Sequence, residues 1–95
     1  MKVYRIYTED KDEFQTNRIS RLLVKQYFPA GLTVQRGIGF WDGNEPENSL
    51  IFVVATDSRL SVLGAVHFIM GYLEQKAVGL EVDGVMRIIH ADDYY

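Results

Sequence analysis

The chain has 95 residues, 47% hydrophobic and 13% aromatic, with a net charge of −3 and no cysteine. That length fits a single domain over residues 1–95 with one core and no room for a second. The lack of cysteine excludes disulfide frameworks, thiolate metal sites and thiol nucleophiles, and the mild negative charge disfavours direct nucleic-acid binding, which requires phosphate neutralisation.

Met1-Lys2-Val3-Tyr4-Arg5 lacks the charged-then-apolar pattern of an export signal. The longest nearly uncharged run, Leu60 to Leu73, is interrupted by Gly64, His67 and Gly71 and is too short to cross a bilayer. These features lead to the expectation of a cytoplasmic protein without a membrane segment.

Val3-Tyr4-Arg5-Ile6-Tyr7 reads as a first strand with bulk on both sides: Tyr4 and Ile6 point one way, Val3, Arg5 and Tyr7 the other. The acid-rich segment from Thr8 to Glu13 opens a helix, with Thr8, Asp10 or Asp12 as N-cap. This helix is expected to run to about Tyr27 and to stop before Pro29. Arg18, Arg21 and Lys25 make a cationic stripe on it.

A second strand follows, from Leu32 through Phe40 to Trp41, with Gly37 and Gly39 marking a bulge or a close backbone approach. Unbroken alternation would put Leu32, Val34, Ile38 and Phe40 on the core face and Trp41 on the other. The segment Asp42–Asn48 reads as a surface loop between antiparallel strands. Next comes Ser49-Leu50-Ile51-Phe52-Val53-Val54-Ala55-Thr56, with no charge, glycine or proline. A strand apolar on both sides belongs inside a sheet with both faces covered.

Asp57 or Ser58 then caps a helix from about Arg59 to Lys76 that is apolar nearly all round. Leu80 to His90 reads either as a hairpin turning at Asp83-Gly84, or as a connector followed by one strand from Val85 to His90. Residues 91–95 form a loosely held tail. The resulting fold class is α+β: a ferredoxin-like split β-α-β-β-α-β unit, an antiparallel four-stranded sheet with two helices on one face and room for an extra short strand near 79–82.

Candidate chemistry is sparse. His67 lies in an apolar helix, where a buried, hydrogen-bonded imidazole is the ordinary explanation. His90 with Asp92 and Asp93 supplies one imidazole and tail acids, a weak metal set. Asp42, Glu45 and Glu47 do not have the spacing of a calcium loop. No cofactor and no metal are expected, and no catalytic residue is assigned.

The open sheet face is the informative feature. It would carry Arg5, Tyr7, Trp41 and either Val53 or its neighbours, a mixture of types enriched at interface hot spots. The expected function is therefore a non-enzymatic binding module working by protein contact, as a homodimer or with a heterologous partner. Arg5, Tyr7, Trp41 and Val53 are its sheet surface, Asp42, Glu45 and Glu47 an acidic contact, and Arg18, Arg21 and Lys25 a secondary cationic face. The alternative is a small dimeric enzyme or ligand-binding protein, with a ligand on the open face near Tyr7 or His67.

The run Phe28-Pro29-Ala30-Gly31-Leu32-Thr33-Val34, with Gly37, Gly39, Trp41, Glu45, Pro46 and Ser49, resembles a family of small uncharacterised bacterial and phage domains. The resemblance covers about a quarter of the chain, and Glu47-Asn48 is inserted between Pro46 and Ser49. It implies a ferredoxin-like fold and carries over no catalytic residue. In type, the chain is also similar to phage-encoded inhibitors of host defence or nucleic-acid enzymes.

Overall fold

The computed structural model describes residues 1–40, 43 and 45–92. The elements are β1 (Lys2–Glu9), α1 (Glu13–Gln26), β2 (Thr33–Gly39), β3 (Glu47–Thr56), α2 (Arg59–Tyr72), β4 (Ala77–Val82) and β5 (Val85–His90). All five strands form one antiparallel sheet in the order β2-β3-β1-β4-β5. The sheet therefore has five strands where the sequence led us to expect four.

The extra strand comes from the C-terminal hairpin. Asp83 and Gly84 both take positive φ, 52° and 77°, the combination a two-residue turn needs to match strand twist. The segment 77–82 is not a short addition but the partner of β1, with Ile6 opposite Leu80. Val85–His90 then becomes the outer edge.

The helices begin and end for local reasons. The Asp12 carboxylate accepts the Gln15 N–H at 2.8 Å, capping α1, and Ser58 Oγ accepts from Ser61 N at 3.1 Å, capping α2. Helix α2 ends at Tyr72, short of the expected Lys76, because Glu74 turns left-handed (φ 55°) and Gln75 N–H closes on Met70 O at 2.9 Å.

Alternation sorts each strand between two faces. Tyr4, Ile6 and Thr8 of β1, Leu50, Phe52 and Val54 of β3, and Val78 and Leu80 of β4 are buried. All but Thr8 form one cluster with Ile19 and Leu23 of α1 and Val62, Val66 and Ile69 of α2, so both helices cover the same face. The helices meet closely at Gly64, where an added Cβ would lie 2.9 Å from Tyr27 Cε1.

Two expectations about β2 and β3 are corrected. The β2–β3 register runs unbroken from Thr33↔Val53 to Gly39↔Glu47, so the glycines mark no bulge. Ile38 and Phe40 are 63% and 76% exposed rather than core. The second face of β3 is also not roofed: among the described residues no helix or strand lies over it. Ile51 and Val53 are only half-buried, flanked within the sheet by Tyr7 and Gln35, and by Arg5 and Thr33.

Candidate functional site

The open face is built from the alternate residues of the same strands. On β1 these are Val3, Arg5, Tyr7 and Glu9; on β3, Glu47, Ser49, Ile51 and Val53; on β4, Ala77, Gly79 and Glu81. On the hairpin's outer strand Met86, Ile88 and His90 share that side, through Glu81↔Met86, Gly79↔Ile88 and Ala77↔His90.

At the centre sits a three-residue polar cluster. Arg5 stands across from Glu81 and Tyr7 across from Gly79, so Tyr7 meets Glu81 on the diagonal. The Tyr7 hydroxyl donates to Glu81 Oε1 at 2.7 Å, and Arg5 Nη1 lies 3.7 Å from Glu81 Oε2. That hydrogen bond, then burial, then the charge of Glu81 raise the Tyr7 phenol above its ordinary 10.0, while Arg5 pulls it down. Tyr7 is thus held as a phenol at neutral pH, a donor to Glu81 rather than a base, and its oxygen keeps acceptor capacity.

Beside this cluster the face sinks into a groove of about 460 Å3. Gly37 and Gly79 are among its lining residues. Gly37 faces Ile51, and at Gly79 an added Cβ would stand 3.0 Å from Met86 Sδ and 3.4 Å from Tyr7 Cβ. Ile51, Met86 and Ile88 supply apolar lining, and Gln75, which accepts the Thr8 hydroxyl's hydrogen bond, closes one end.

The charged lining residues are Glu9 and Glu47, with no lysine, arginine or histidine among the lining residues. Glu9 has Lys11 at 3.4 Å on the surface side, whereas Glu47 has no ion-pair partner among the described residues. The groove is therefore apolar in its floor and negative at its rim. That combination suits a cation with a flat, weakly polar body. Among the described residues no cluster of His, Asp and Glu is placed to hold a metal.

The structure brings together Arg5, Tyr7 and Val53, with Arg5 and Val53 paired directly across β1 and β3. Glu47 belongs to β3, not to the preceding loop, and so reaches the groove, while Glu45 is exposed in the connection. Trp41 and Asp42 lie outside the described residues. Arg18, Arg21 and Lys25 are exposed on α1, away from this face.

His67 sits on α2 in the helix layer and Tyr7 on the opposite face of the sheet, so the two do not share a site. The residues not singled out from sequence are Glu9, Glu81, Gly79, Met86 and Ile88. The Asp83-Gly84 turn was the available signal: it fixes the β4–β5 pairing, and with it Glu81 beside Met86 and Gly79 beside Ile88.

No family model and no curated protein matches the chain. Solved structures do share its fold. A phage SAM lyase in complex with S-methyl-5'-thioadenosine superposes with a TM-score of 0.63 at 16% identity, covering 99% of this chain and 92% of that one. A phage SAM lyase in the apo state gives 0.62 at 17%, with the same coverage.

At this identity the likeness is one of fold: α+β, five antiparallel strands and two helices. These neighbours are enzymes. The expectation of a non-enzymatic inhibitor acting only by protein contact is corrected accordingly, and its alternative, a small enzyme or ligand-binding protein with its site on the open face, is the one they favour.

Proposed function

We propose that this chain is a small lyase acting on S-adenosylmethionine, with the open-face groove as its binding site. The observation that carries the reading is the groove itself, apolar in its floor, rimmed by Glu9 and Glu47, and lined by no basic residue. The fold shared with phage SAM lyases supports it independently.

S-adenosylmethionine is a sulfonium cation with a flat nucleoside body. Its methylthioadenosine part is what remains when the bond between sulfur and the amino-acid side chain breaks. The electron pair of that bond goes to sulfur, so the nucleoside leaves as a neutral thioether. A lyase adds no atoms, so as the sulfur–carbon bond breaks the γ carbon bonds to the fragment's own carboxylate oxygen, closing a lactone. The sulfonium and carboxylate charges cancel and the ammonium is unchanged.

Each part of the groove has a role in this account. Glu9 and Glu47 attract the cation, and Ile51, Met86 and Ile88 pack against the nucleoside. An apolar wall raises the energy of a localised sulfonium charge relative to a transition state in which that charge is dispersing. The Tyr7 hydroxyl, oriented by Glu81 and Arg5, accepts a hydrogen bond from the substrate's ammonium or ribose hydroxyl.

Four further statements belong to this proposal. We read the first six elements as a ferredoxin-like unit with β5 added at its edge, a reading that the sheet order β2-β3-β1-β4-β5 supports. The run Phe28-Pro29-Ala30-Gly31-Leu32-Thr33-Val34 with Gly37, Gly39, Trp41, Glu45, Pro46 and Ser49 supports grouping the chain with small bacterial and phage domains. A cytoplasmic location follows from an intracellular substrate, and among the described residues no helix is long and apolar enough to cross a membrane. A homodimer through the Val3, Arg5 and Val53 end of the open face, beyond the groove, belongs to the proposal as well.

The test is direct: purified protein is incubated with S-adenosylmethionine and the products are separated by chromatography. The reading predicts methylthioadenosine, lost in Glu47→Gln with Gly79→Val and retained in Arg18→Gln. Absence of both turnover and binding of S-adenosylmethionine by the wild type would overturn it.

A further inference from the structure

A second groove, of about 600 Å3, opens on the helix-covered side between the start of α2 and the β4–β5 hairpin. Tyr4, Val62, Leu63, Leu80 and Ile89, all buried, contribute to its floor. Its rim differs in charge from that of the open-face groove: Lys2, Arg59 and Arg87 against a single acid, Asp83. Lys2 Nζ lies 3.5 Å from the Asp83 carboxylate, so those two charges offset each other. Arg59 and Arg87 have no carboxylate partner among the described residues.

The placement of these two arginines runs against simple electrostatics. Arg59 is the first residue of α2, whose first turn holds no acid, so its charge adds to the positive end of the helix dipole. Arg87, across from Leu80 on β5, shares the side of the sheet that α2 covers. Two exposed arginines thus line one apolar-floored groove in a chain whose net charge is −3.

An anion relieves that arrangement, and its charge can be matched. A single carboxylate leaves one guanidinium uncompensated, whereas a phosphate monoester carries about −1.5 to −2 at neutral pH and accepts forked arginine hydrogen bonds. The floor adds room for an apolar ring. We infer that this groove binds a soluble phosphate monoester carrying a flat apolar group.

The site is separate from the open-face groove, and the two readings fail independently. The whole chain is titrated with 1-naphthyl phosphate and followed by amide chemical shifts and calorimetry. The expected shifts fall on Val62, Leu63 and Leu80 and spare Gly37 and Ile51. Inorganic phosphate and 1-naphthol each bind at least about tenfold more weakly.

Arg59→Gln with Arg87→Gln weakens binding by about tenfold or more, while Arg18→Gln with Arg21→Gln, removing the same charge from α1, leaves it within about twofold. Shifts centred on Gly37 and Ile51, equal losses in both double variants, or no saturable binding of 1-naphthyl phosphate by the wild type would each overturn the inference. The wild-type shift map requires no variant to fold.

Discussion

The two faces of this sheet are made by the same strands and differ in nearly everything else. Toward the helices, Ile6, Phe52 and their neighbours are wholly enclosed. One residue along, Tyr7 and Arg5 meet Glu81, and Gly37 and Gly79 line the groove, Gly79 letting Met86 Sδ and Tyr7 Cβ come close. The covered face accounts for stability; the open face holds polar contacts and a groove. A strand apolar on both sides therefore does not require two roofs: one side is core, and the other is half-shaded by its neighbours in the sheet.

The largest expected break in that comparison comes from the covered side. Phe52→Ala should cost about 3–5 kcal/mol, a large part of the stability of a domain this size, read as the shift in urea midpoint. Equivalent truncation on the open face, Ile51→Ala, should cost clearly less, because its side chain is only half-buried. Equal losses would mean that the open face is covered in solution.

Next in size are changes that alter the groove and leave the core alone. Gly79→Ala places a methyl against Met86 Sδ and Tyr7, so Met86 yields toward the groove. Turnover of S-adenosylmethionine should fall about tenfold or more, with stability changed by no more than about 1 kcal/mol. Glu47→Gln removes the rim carboxylate without an ion-pair partner and should weaken a cationic ligand several-fold, leaving the urea midpoint in place. A neutral ligand's affinity should not change.

The smallest effect concerns Tyr7. Its phenol is raised in the folded chain above an ordinary 10.0, so the protonated form is the one folding favours. The contribution of its hydrogen bond, about 0.5–1 kcal/mol, is fully present below pH 10 and is lost as pH rises through the higher folded value. Tyr7→Phe should lose that increment at pH 7 and show a flatter stability profile above pH 10, measured by urea unfolding across pH.

How much of this was legible in sequence depended on the range of the interaction. Most elements were, because the β-branched and aromatic runs Val3–Tyr7 and Ser49–Thr56 and the caps before each helix are local signals. The Asp83-Gly84 turn was legible too, though it left a hairpin and a single strand both open. What was not legible was partner register. Glu81 joins Arg5 and Tyr7 only because β4 sits beside β1, a contact between segments some seventy residues apart. The two glycines of β2 were read as a bulge or a close backbone approach; the unbroken register removes the bulge, and nothing in the sequence marked them as lining a groove. The protein-contact function came from an apolar face alone, and such a face does not distinguish a partner surface from a ligand site.

The central claim is that the open face binds an adenosyl thioether or sulfonium. It is tested most directly by titrating the whole chain with S-methyl-5'-thioadenosine and following every backbone amide. The account predicts saturable shifts at Tyr7, Gly37, Ile51, Gly79 and Met86, with Ile19, Leu23 and Val66 in the helix layer unmoved. No shifts at saturating ligand, or shifts gathered on α1 and α2, would contradict it.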